Sequence, residues 1–190
     1  MAKFEKFQEL LDLQPRTAAR ICEAIAQIFE VRPTEVGLLV VEGDFLTFLS
    51  PVELQAAGVI PLSSSAVAAR TAANRQGMVF NRFPQVPHHT VFEQIKLNNE
   101  KPLSELPDPI QKLMSAPIIA EDGSLFGVVQ VSRKGMTPGI AGADFSDEDL
   151  HLLERVARQV AVLLTDLKAR REPEPGETLR FRNSNKRASA

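Results

Sequence analysis

Apolar residues recur at helical spacing in two segments near the start of the chain. Within 3–13 they lie three or four positions apart, at Phe4, Phe7, Leu10 and Leu11. The same spacing continues over 16–30, with Pro15 between the two segments and Pro33 after the second. Because proline lacks an N–H donor and interrupts a helix, the pattern predicts two helices with a kink or short turn at Gln14-Pro15.

Strand patterns follow as two hairpins. The continuous apolar run 36–41 indicates a strand covered on both faces, and after turn residues the strand pattern resumes over 45–49. Segments 115–120 and 125–134 are joined by a turn with Asp122-Gly123, a strong hairpin signal. Met78 begins one further short strand, over 78–81.

Three further helices are predicted. Ser63, Ser64 and Ser65 precede one that Gly77 closes. Asp108-Pro109 indicates an N-cap followed by proline, and predicts a short helix over 110–114. Ser146 and Asp149 form a capping box that begins a last helix, which runs to about Lys168. Long helices at both ends around an antiparallel sheet indicate an α+β fold with layers packed on the sheet.

The stretch 82–106 is long, polar and poorly periodic, which indicates a functional loop or disorder. Beyond 168, prolines and polar residues are typical of disorder. Six basic and three acidic side chains from Arg170 onward give this tail +3, and the total of −2 leaves −5 on the rest. That balance argues against nucleic-acid binding by the body, whereas the basic tail leaves binding of a partner or phosphate open, beside a merely solubilising role.

Cys22 is the single cysteine, which excludes an intramolecular disulfide and a cysteine-rich metal site. The charged, amphipathic start lacks the apolar run of a signal peptide. No stretch approaches the ~20 consecutive apolar residues of a membrane span. We therefore expect a cytoplasmic protein that does not enter a membrane.

The last predicted helix carries a heptad seam at Leu150, Leu153, Ala157, Val160, Leu164 and Leu167. Further apolar residues lie partly off the seam, although a helix that covers only its own sheet needs one stripe. Either the first helix fills this second contact within the chain, or two copies form a two-fold dimer through their first and last helices. We expect the dimer, because two-fold dimers are the commonest oligomers.

Four segments, in this order and spacing, resemble a GAF domain: GLLVVEGDFLTFLSP, IPLSSSAVAARTAANRQGMVFN, SAPIIAEDGSLFGVVQVSRKG and FSDEDLHLLERVARQVAVLL. The resemblance covers 16–168, and the last two segments are the most specific. It implies a central antiparallel sheet of about five or six strands. Terminal helices pack on one face, and a helix with long loops covers the other, often enclosing a ligand pocket. The expected organisation is an N-terminal amphipathic helix (1–14), a GAF domain (15–168) and a disordered basic tail (169–190).

The subclasses of this family are compared residue by residue, because a fold does not fix function. Phosphodiesterase-type cyclic-nucleotide binders carry an Asn-Lys-Phe-Asp-Glu signature, of which 131–135 shares only a lysine. Covalent bilin attachment needs a cysteine beside a histidine, and Cys22 is far from any histidine in sequence. The methionine sulfoxide reductases need several cysteines, because a resolving thiol must close the cycle. The resemblance therefore implies no catalytic residue and no cofactor here.

Six residues are candidates for binding a ligand: Ser64, Arg70, Arg82, His88, Gln130 and Ser132. Ser64 lies where helix N–H groups and hydroxyls can hold a carboxylate or phosphate, with a simple N-cap as the alternative. Arg70 and Arg82 suit an anion or are ordinary surface arginines. His88 suits haem, a metal or a proton-linked switch, but no Cys, Asp or Glu within three residues completes a metal site, so a solvated histidine is expected.

Gln130 and Ser132 share a strand face with Phe126 and Val128 by alternation. An apolar face with two polar groups suits a small-ligand pocket, or the wet end of an ordinary strand. The stretch 82–106 would then be a lid over the pocket, or would simply close the core.

These observations favour a non-enzymatic sensory domain that binds an unidentified small molecule between sheet and lid. Binding would change how the terminal helices meet in a homodimer, and the output would pass to an unidentified protein partner. The alternative is a ligand-free dimerisation or interaction module whose pocket is filled by its own side chains. An enzyme ranks last, because no nucleophile–base pair or metal cluster can be assembled.

Overall fold

The computed structural model describes residues 2–12, 17–85 and 108–169. The expected kink at Gln14-Pro15, His88, most of the expected lid and the basic tail lie outside these residues. Leu167 lies in a described helix, but its side chain is not among those described.

Six strands form one antiparallel sheet in the order β3-β2-β1-β6-β5-β4. The strands are β1 (Val36–Glu42), β2 (Phe45–Ser50), β3 (Ile60–Pro61), β4 (Met78–Phe80), β5 (Ile110–Ile119) and β6 (Leu125–Lys134). The helices are α1 (Ala2–Asp12), α2 (Ala18–Phe29), α3 (Val67–Asn74) and α4 (Asp147–Ala169), and short 3-10 helices occur at Pro33–Glu35, Val52–Ala57 and Phe83–Gln85. The expected α+β fold and the number of strands are confirmed.

The sheet separates two apolar cores. On one face α2 and α4 pack against alternate residues of the central strands, including Leu38, Val129 and Val131. On the other face α3 packs against Leu39 and Val128. Neighbouring residues of β1 and β6 point to opposite faces. Because both faces are covered, successive residues are apolar at Leu38–Val41 of β1 and at Val128-Val129 of β6.

Helix α1 forms an outer layer on α2 and α4, and Phe7 is completely buried there. Seven of the twelve residues of α2 are buried, more than one sheet-facing stripe requires. The sheet covers one side of α2 and α1 covers the other, which explains why so many residues of α2 are buried.

The described part of the heptad seam of α4 contacts the core of its own chain. Four seam residues are at most 4% exposed in the single chain and belong to the core between α4 and the sheet: Leu153, Ala157, Val160 and Leu164. Leu150 is half-buried against the same core. Side chains already buried in one chain have little surface left for a second copy, so these four residues are covered within the chain, and the dimer expected through the seam stays a prediction.

The segment expected to be a short helix over 110–114 is the first half of β5, so that prediction was wrong. Pairing with β6 and β4 outweighs the local preference. Two polar side chains are buried in this half of β5 because backbone carbonyl groups in the loop after β6 accept their hydrogen bonds. Gln111 Nε2 donates to Gly135 O at 2.8 Å, and Lys112 Nζ donates to Gly142 O at 2.5 Å.

The loop before α4 is held at two further points. Lys112 Nζ also lies 2.7 Å from Asp144 Oδ1. Asn81 donates to Phe145 O at 2.9 Å and accepts from Phe145 N at 2.8 Å. The expected capping box is confirmed, since Asp149 N donates to Ser146 Oγ and Ser146 N donates to Asp149 Oδ2. The position of α4 is therefore tied to β4 and β5.

Gly127 marks a very close approach of β6 to β1. A Cβ built at Gly127 would lie 1.9 Å from Leu39 O. The pairing of β5 with β6 shifts just beyond it, between Ile118 and Ile119. This bulge turns Phe126 toward the core of α4, whereas Val128 faces α3. The expectation that Phe126 shares a face with Val128 was therefore wrong.

Replacing Gly127 with alanine is expected to lower the free energy of unfolding by about 3 kcal/mol, because the strand must move away from backbone atoms. Urea unfolding followed by circular dichroism measures the change. Gly139→Ala is the matched control, since a Cβ there meets nothing within 4 Å. Equal stabilities of the two variants would contradict the assigned strand contact.

Candidate functional site

The first turn of α3 lacks a side-chain cap. Its N-cap residue is Ala66, which makes no side-chain capping bond, so the expectation that a serine caps the helix was wrong. Ser64 N donates to Pro61 O at 3.0 Å. Ser64 Oγ is buried, yet it has no hydrogen-bond partner among the described residues. A buried hydroxyl without a partner costs free energy, and here it lies beside a helix start whose N–H groups lack a side-chain acceptor.

Below α3, three buried polar side chains form a directed chain of hydrogen bonds. Gln130 Nε2 donates to Ser115 Oγ at 3.2 Å. Ser115 and Thr71 hydroxyls lie 2.8 Å apart, and Thr71 Oγ1 donates to Val67 O at 2.8 Å. With one proton on each hydroxyl, the donors run from Gln130 through Ser115 and Thr71 to the helix backbone. Polar contacts thus connect β6 and β5 to α3.

Two members of this chain, Thr71 and Ser115, were absent from the sequence candidates. Ser115 lies directly opposite Gln130 in the hairpin. Counting back from the Asp-Gly turn gives that pairing, so the hairpin pattern contained a signal for Ser115. Thr71 lies in an alanine-rich helix, and nothing in the pattern assigned its direction.

The other sequence candidates lie apart from this cluster. Arg70 is exposed on α3. Arg82 is exposed and lines a separate cavity of about 650 Å³ together with Lys112 and Asp144. Ser132 is buried, and its hydroxyl donates to Glu35 O at 3.0 Å. This hydrogen bond links β6 to the Pro33–Glu35 turn. Of the six candidates, Ser64 and Gln130 therefore remain as partly or fully buried polar residues next to α3, whereas Arg70 on α3 is open to solvent.

Glu35 is a buried carboxylate at the end of the 3-10 helix Pro33–Glu35, directly before β1. It accepts from Arg32 N at 2.8 Å, from the Arg32 guanidinium at 3.1 Å and from Lys134 N at 2.7 Å. Burial alone would raise its pKa, but these hydrogen bonds outweigh burial and hold the pKa of Glu35 below its ordinary value of 4.5. The ionised group therefore stabilises the fold.

Cys22 lies on α2, in the core on the opposite face of the sheet from Thr71. Burial raises the pKa of its thiol to about 11, although a contact with Ser50 partly offsets this. Within 2–12, 17–85 and 108–169, no three histidine, cysteine or acidic side chains group in a way that could hold a metal ion. Over the same residues, no helix has both the length and the apolar character that crossing a bilayer requires.

The fold is a six-stranded antiparallel sheet with three helices on one face and, on the other, a short helix over a small polar cluster. The sequence profile of the GAF domain matches residues 15–164. The chain therefore belongs to the GAF domain family, a regulatory and sensory fold. Helix α1 precedes the matched range.

Solved structures with the same fold are distant in sequence. The GAF domain of a phosphoenolpyruvate-protein phosphotransferase from Coxiella burnetii is 11% identical, with a TM-score of 0.65 over 89% of this chain and 94% of that one. The corresponding domain from Acinetobacter is 9% identical, with a TM-score of 0.63 over 89% and 96%. The free methionine-R-sulfoxide reductase of Neisseria meningitidis, solved with its substrate, is 15% identical, with a TM-score of 0.59 over 88% and 89%. These likenesses support the fold alone. No curated protein is detectably similar to this chain.

Glu35→Gln is expected to lower the free energy of unfolding at pH 7 by about 2 kcal/mol, because hydrogen bonds to a charged group are lost. The pKa of Glu35 is lower in the folded chain than in the unfolded one. Its contribution is therefore present above pH 4.5 and is lost as the pH falls through the folded pKa. The difference between wild type and variant should shrink between pH 7 and pH 3. Glu53→Gln, at an exposed position, is the control; a difference that stays constant with pH would contradict the assignment.

The thiol of Cys22 is expected to react with an aromatic disulfide reagent at pH 8 at least about 100-fold more slowly in the native chain than in urea-unfolded chain. A pKa two units above the ordinary value of 9.0 lowers the thiolate fraction by that factor, and burial adds to it. Absorbance of the released thiolate measures both rates. Comparable rates would show that Cys22 is accessible.

Proposed function

We propose that this GAF domain is a non-enzymatic sensor that binds a small molecule with an anionic group at the start of α3. The buried Ser64 hydroxyl, which has no described partner, carries the proposal. Hydrogen-bond donors at an uncapped helix start favour a carboxylate or phosphate, and the positive end of the helix dipole adds to the attraction. A ligand oxygen that accepts from Ser64 would remove the cost of its unpaired hydroxyl.

The polar chain below α3 supplies a route from that site to the rest of the domain. Thr71 is held by Ser115 of β5, and on the opposite face of the same strand Met114 and Ala116 belong to the core of α4. A ligand that shifts α3 would change the position of Thr71 and the bond to Ser115. Signalling follows if the ligand has different affinities for two arrangements of these elements. The output then passes to a protein partner.

The non-enzymatic part of the proposal rests on the chemistry of the candidate site. Its side chains are two hydroxyls and an amide in a closed chain of hydrogen bonds, with no described histidine or carboxylate to act as a base. Some structural neighbours are methionine sulfoxide reductases. Their cycle needs a second thiol, and this sequence has a single cysteine, which lies on the other side of the sheet.

A ligand-free interaction module is the second candidate function. Gln130, Ser115 and Thr71 already hydrogen-bond to one another, and large apolar side chains fill the core beside them: Leu39, Leu46, Phe48, Ile60 and Val128. A site whose polar groups satisfy each other gains less from a ligand.

Ser64→Ala separates the two functions. In the free chain this change should leave stability unchanged or raise it by up to about 1 kcal/mol, since it removes a buried group that has no partner among the described residues. A sensor carrying its ligand should show excess mass in native mass spectrometry after purification from cells. The variant should retain at least about tenfold less of it.

Ser63→Ala, in the same serine run but exposed, is the matched control and should retain the ligand as wild type does. Equal retention by Ser64→Ala and wild type would contradict the assigned site. Bare chains in all three proteins, together with a stability loss in Ser64→Ala, would contradict the sensor and favour the interaction module.

A further inference from the structure

Lys112 is a buried cation in the wall of a cavity. The cavity has a volume of about 650 Å³ and lies between the end of β4, the start of β5 and the loop 138–144 that precedes α4. Lys112 and its neighbour Gln111 line this cavity, and each is at most 5% exposed. Burying a cation costs free energy unless acceptors or an anion replace the lost water. A buried lysine that borders a cavity is therefore a candidate for binding an anion.

The ammonium group of Lys112 has one hydrogen-bond donor without a described acceptor. It carries three N–H donors, and two described acceptors lie within reach, Gly142 O at 2.5 Å and Asp144 Oδ1 at 2.7 Å. The side chain of Asp144 is 69% exposed, so solvent weakens this ion pair. One N–H donor of Lys112 therefore remains for a ligand, and the ion pair compensates only part of its charge.

Two arginines add positive charge beside Lys112. Arg82 is exposed and lines the same cavity. Arg133 lies opposite Lys112 in the pairing of β5 with β6, and a Cβ built at Gly142 would lie 3.2 Å from its Nη1. Neither arginine forms an ion pair with an acidic residue of 2–12, 17–85 or 108–169. With Asp144 as the one carboxylate among the described lining residues, three cations and one anion leave a charge of +2.

The surroundings of Arg133 do not neutralise this positive charge. Its guanidinium lies over the ring of Phe145, 4.8 Å from the ring centre, and Nη2 donates to Phe29 O at 3.3 Å. Its Nε is buried and has no hydrogen-bond partner among the described residues. A carbonyl group and an aromatic ring carry no net charge. The positive charge of Arg133 therefore adds to the attraction that an anion experiences in the neighbouring cavity.

The loop that forms one wall of the cavity is held at two points by the buried side chains of β5. Gln111 donates to Gly135 O, and Lys112 donates to Gly142 O. Between these points Gly139 lines the cavity, and a Cβ built there would meet nothing within 4 Å. The wall is therefore formed before a ligand arrives, and binding does not require ordering of this loop.

We propose that this cavity binds a phosphate monoester, with the phosphate group between Arg82 and Lys112. Such a group carries a charge of about −1.5 to −2 at pH 7 and so matches the charge of the site, whereas a carboxylate would neutralise only half of it. The planar fork of Arg82 suits two phosphate oxygens, and Lys112 supplies a point charge. Because a phosphate group fills a small part of the cavity, the rest of the molecule has room beside Gly139. The cavity shares no lining residue with the ligand site proposed at the start of α3, and neither proposal depends on the other.

Equilibrium dialysis of the full chain against radiolabelled inorganic phosphate, at pH 7 and constant ionic strength, tests the site. The wild type should bind phosphate in a saturable manner. Arg82→Gln should weaken this binding at least about tenfold, because charge-assisted hydrogen bonds are lost. Arg158→Gln removes the same charge from an exposed position on α4 and is the matched control, which should bind as wild type does.

Asp144→Asn is expected to change the affinity in the opposite direction. The carboxylate of Asp144 competes with a ligand for Lys112 and repels an anion in the cavity. Removing its charge should strengthen phosphate binding about fivefold, while the amide oxygen can still accept from Lys112. Damage to the fold would weaken binding, so a gain in affinity cannot come from that source. Weaker binding by Asp144→Asn than by wild type would overturn the proposal.

Ser64→Ala separates this site from the ligand site proposed at the start of α3. This variant should retain the phosphate binding that Arg82→Gln loses. Binding that disappears in Ser64→Ala and persists in Arg82→Gln would overturn the present proposal and assign the anion to α3. Equal losses in Arg82→Gln and Arg158→Gln would also overturn it, since they would indicate a general attraction to positive surface. So would a wild type that binds no phosphate.

Discussion

The register of β6 between β1 and β5 is the constraint on which the rest of this structure depends. Alternate residues of β6 enter two different cores, Val129 and Val131 toward α2 and α4, and Val128 toward α3. A slip of one residue would exchange these faces and expose both cores to the wrong partners. Gly127 allows the strand to come so close to Leu39 that no side chain fits between them. The same register places Gln130 opposite Ser115, so the polar chain below α3 follows from the packing of the sheet.

The sequence pattern predicted those elements that are determined by interactions between residues close together in the chain. The Asp-Gly turn, the capping box of Ser146 and Asp149, and the apolar run of β1 all describe interactions within a few residues, and the structure contains each of them. The first half of β5 was not predictable in this way. Gln111 and Lys112 break the apolar pattern, and they are buried in a strand because carbonyl groups more than twenty residues away accept their hydrogen bonds. No window of neighbouring residues contains that information.

The candidate site was predictable to a similar extent. Alternation along β6 placed Gln130 on one face with Val128, and in the structure that face lies below α3. Ser132 was expected on the same face, but its hydroxyl donates to the backbone of Glu35 and links β6 to the Pro33–Glu35 turn. The face of Phe126 depended on a bulge, and alternation assumes that no bulge occurs. Ser64 was assigned to the right helix start, with a capping role that the backbone geometry of α3 does not give it. Residue types and their spacing therefore identified the segments that carry these side chains. The hydrogen-bond partners of the side chains depend on tertiary contacts, which the sequence pattern does not contain.

The two faces of the sheet differ in how firmly their helices are held. Helix α4 has 23 residues, a capping box and a seam buried in the larger core. Helix α3 has eight residues and no side-chain cap, and a helix of that length is unstable without tertiary contacts. Its position depends on a small alanine-rich core and on the hydrogen bond between the hydroxyls of Thr71 and Ser115. Of these two helices, α3 therefore costs less to move, so the ligand proposed for its first turn would act on the more weakly held element.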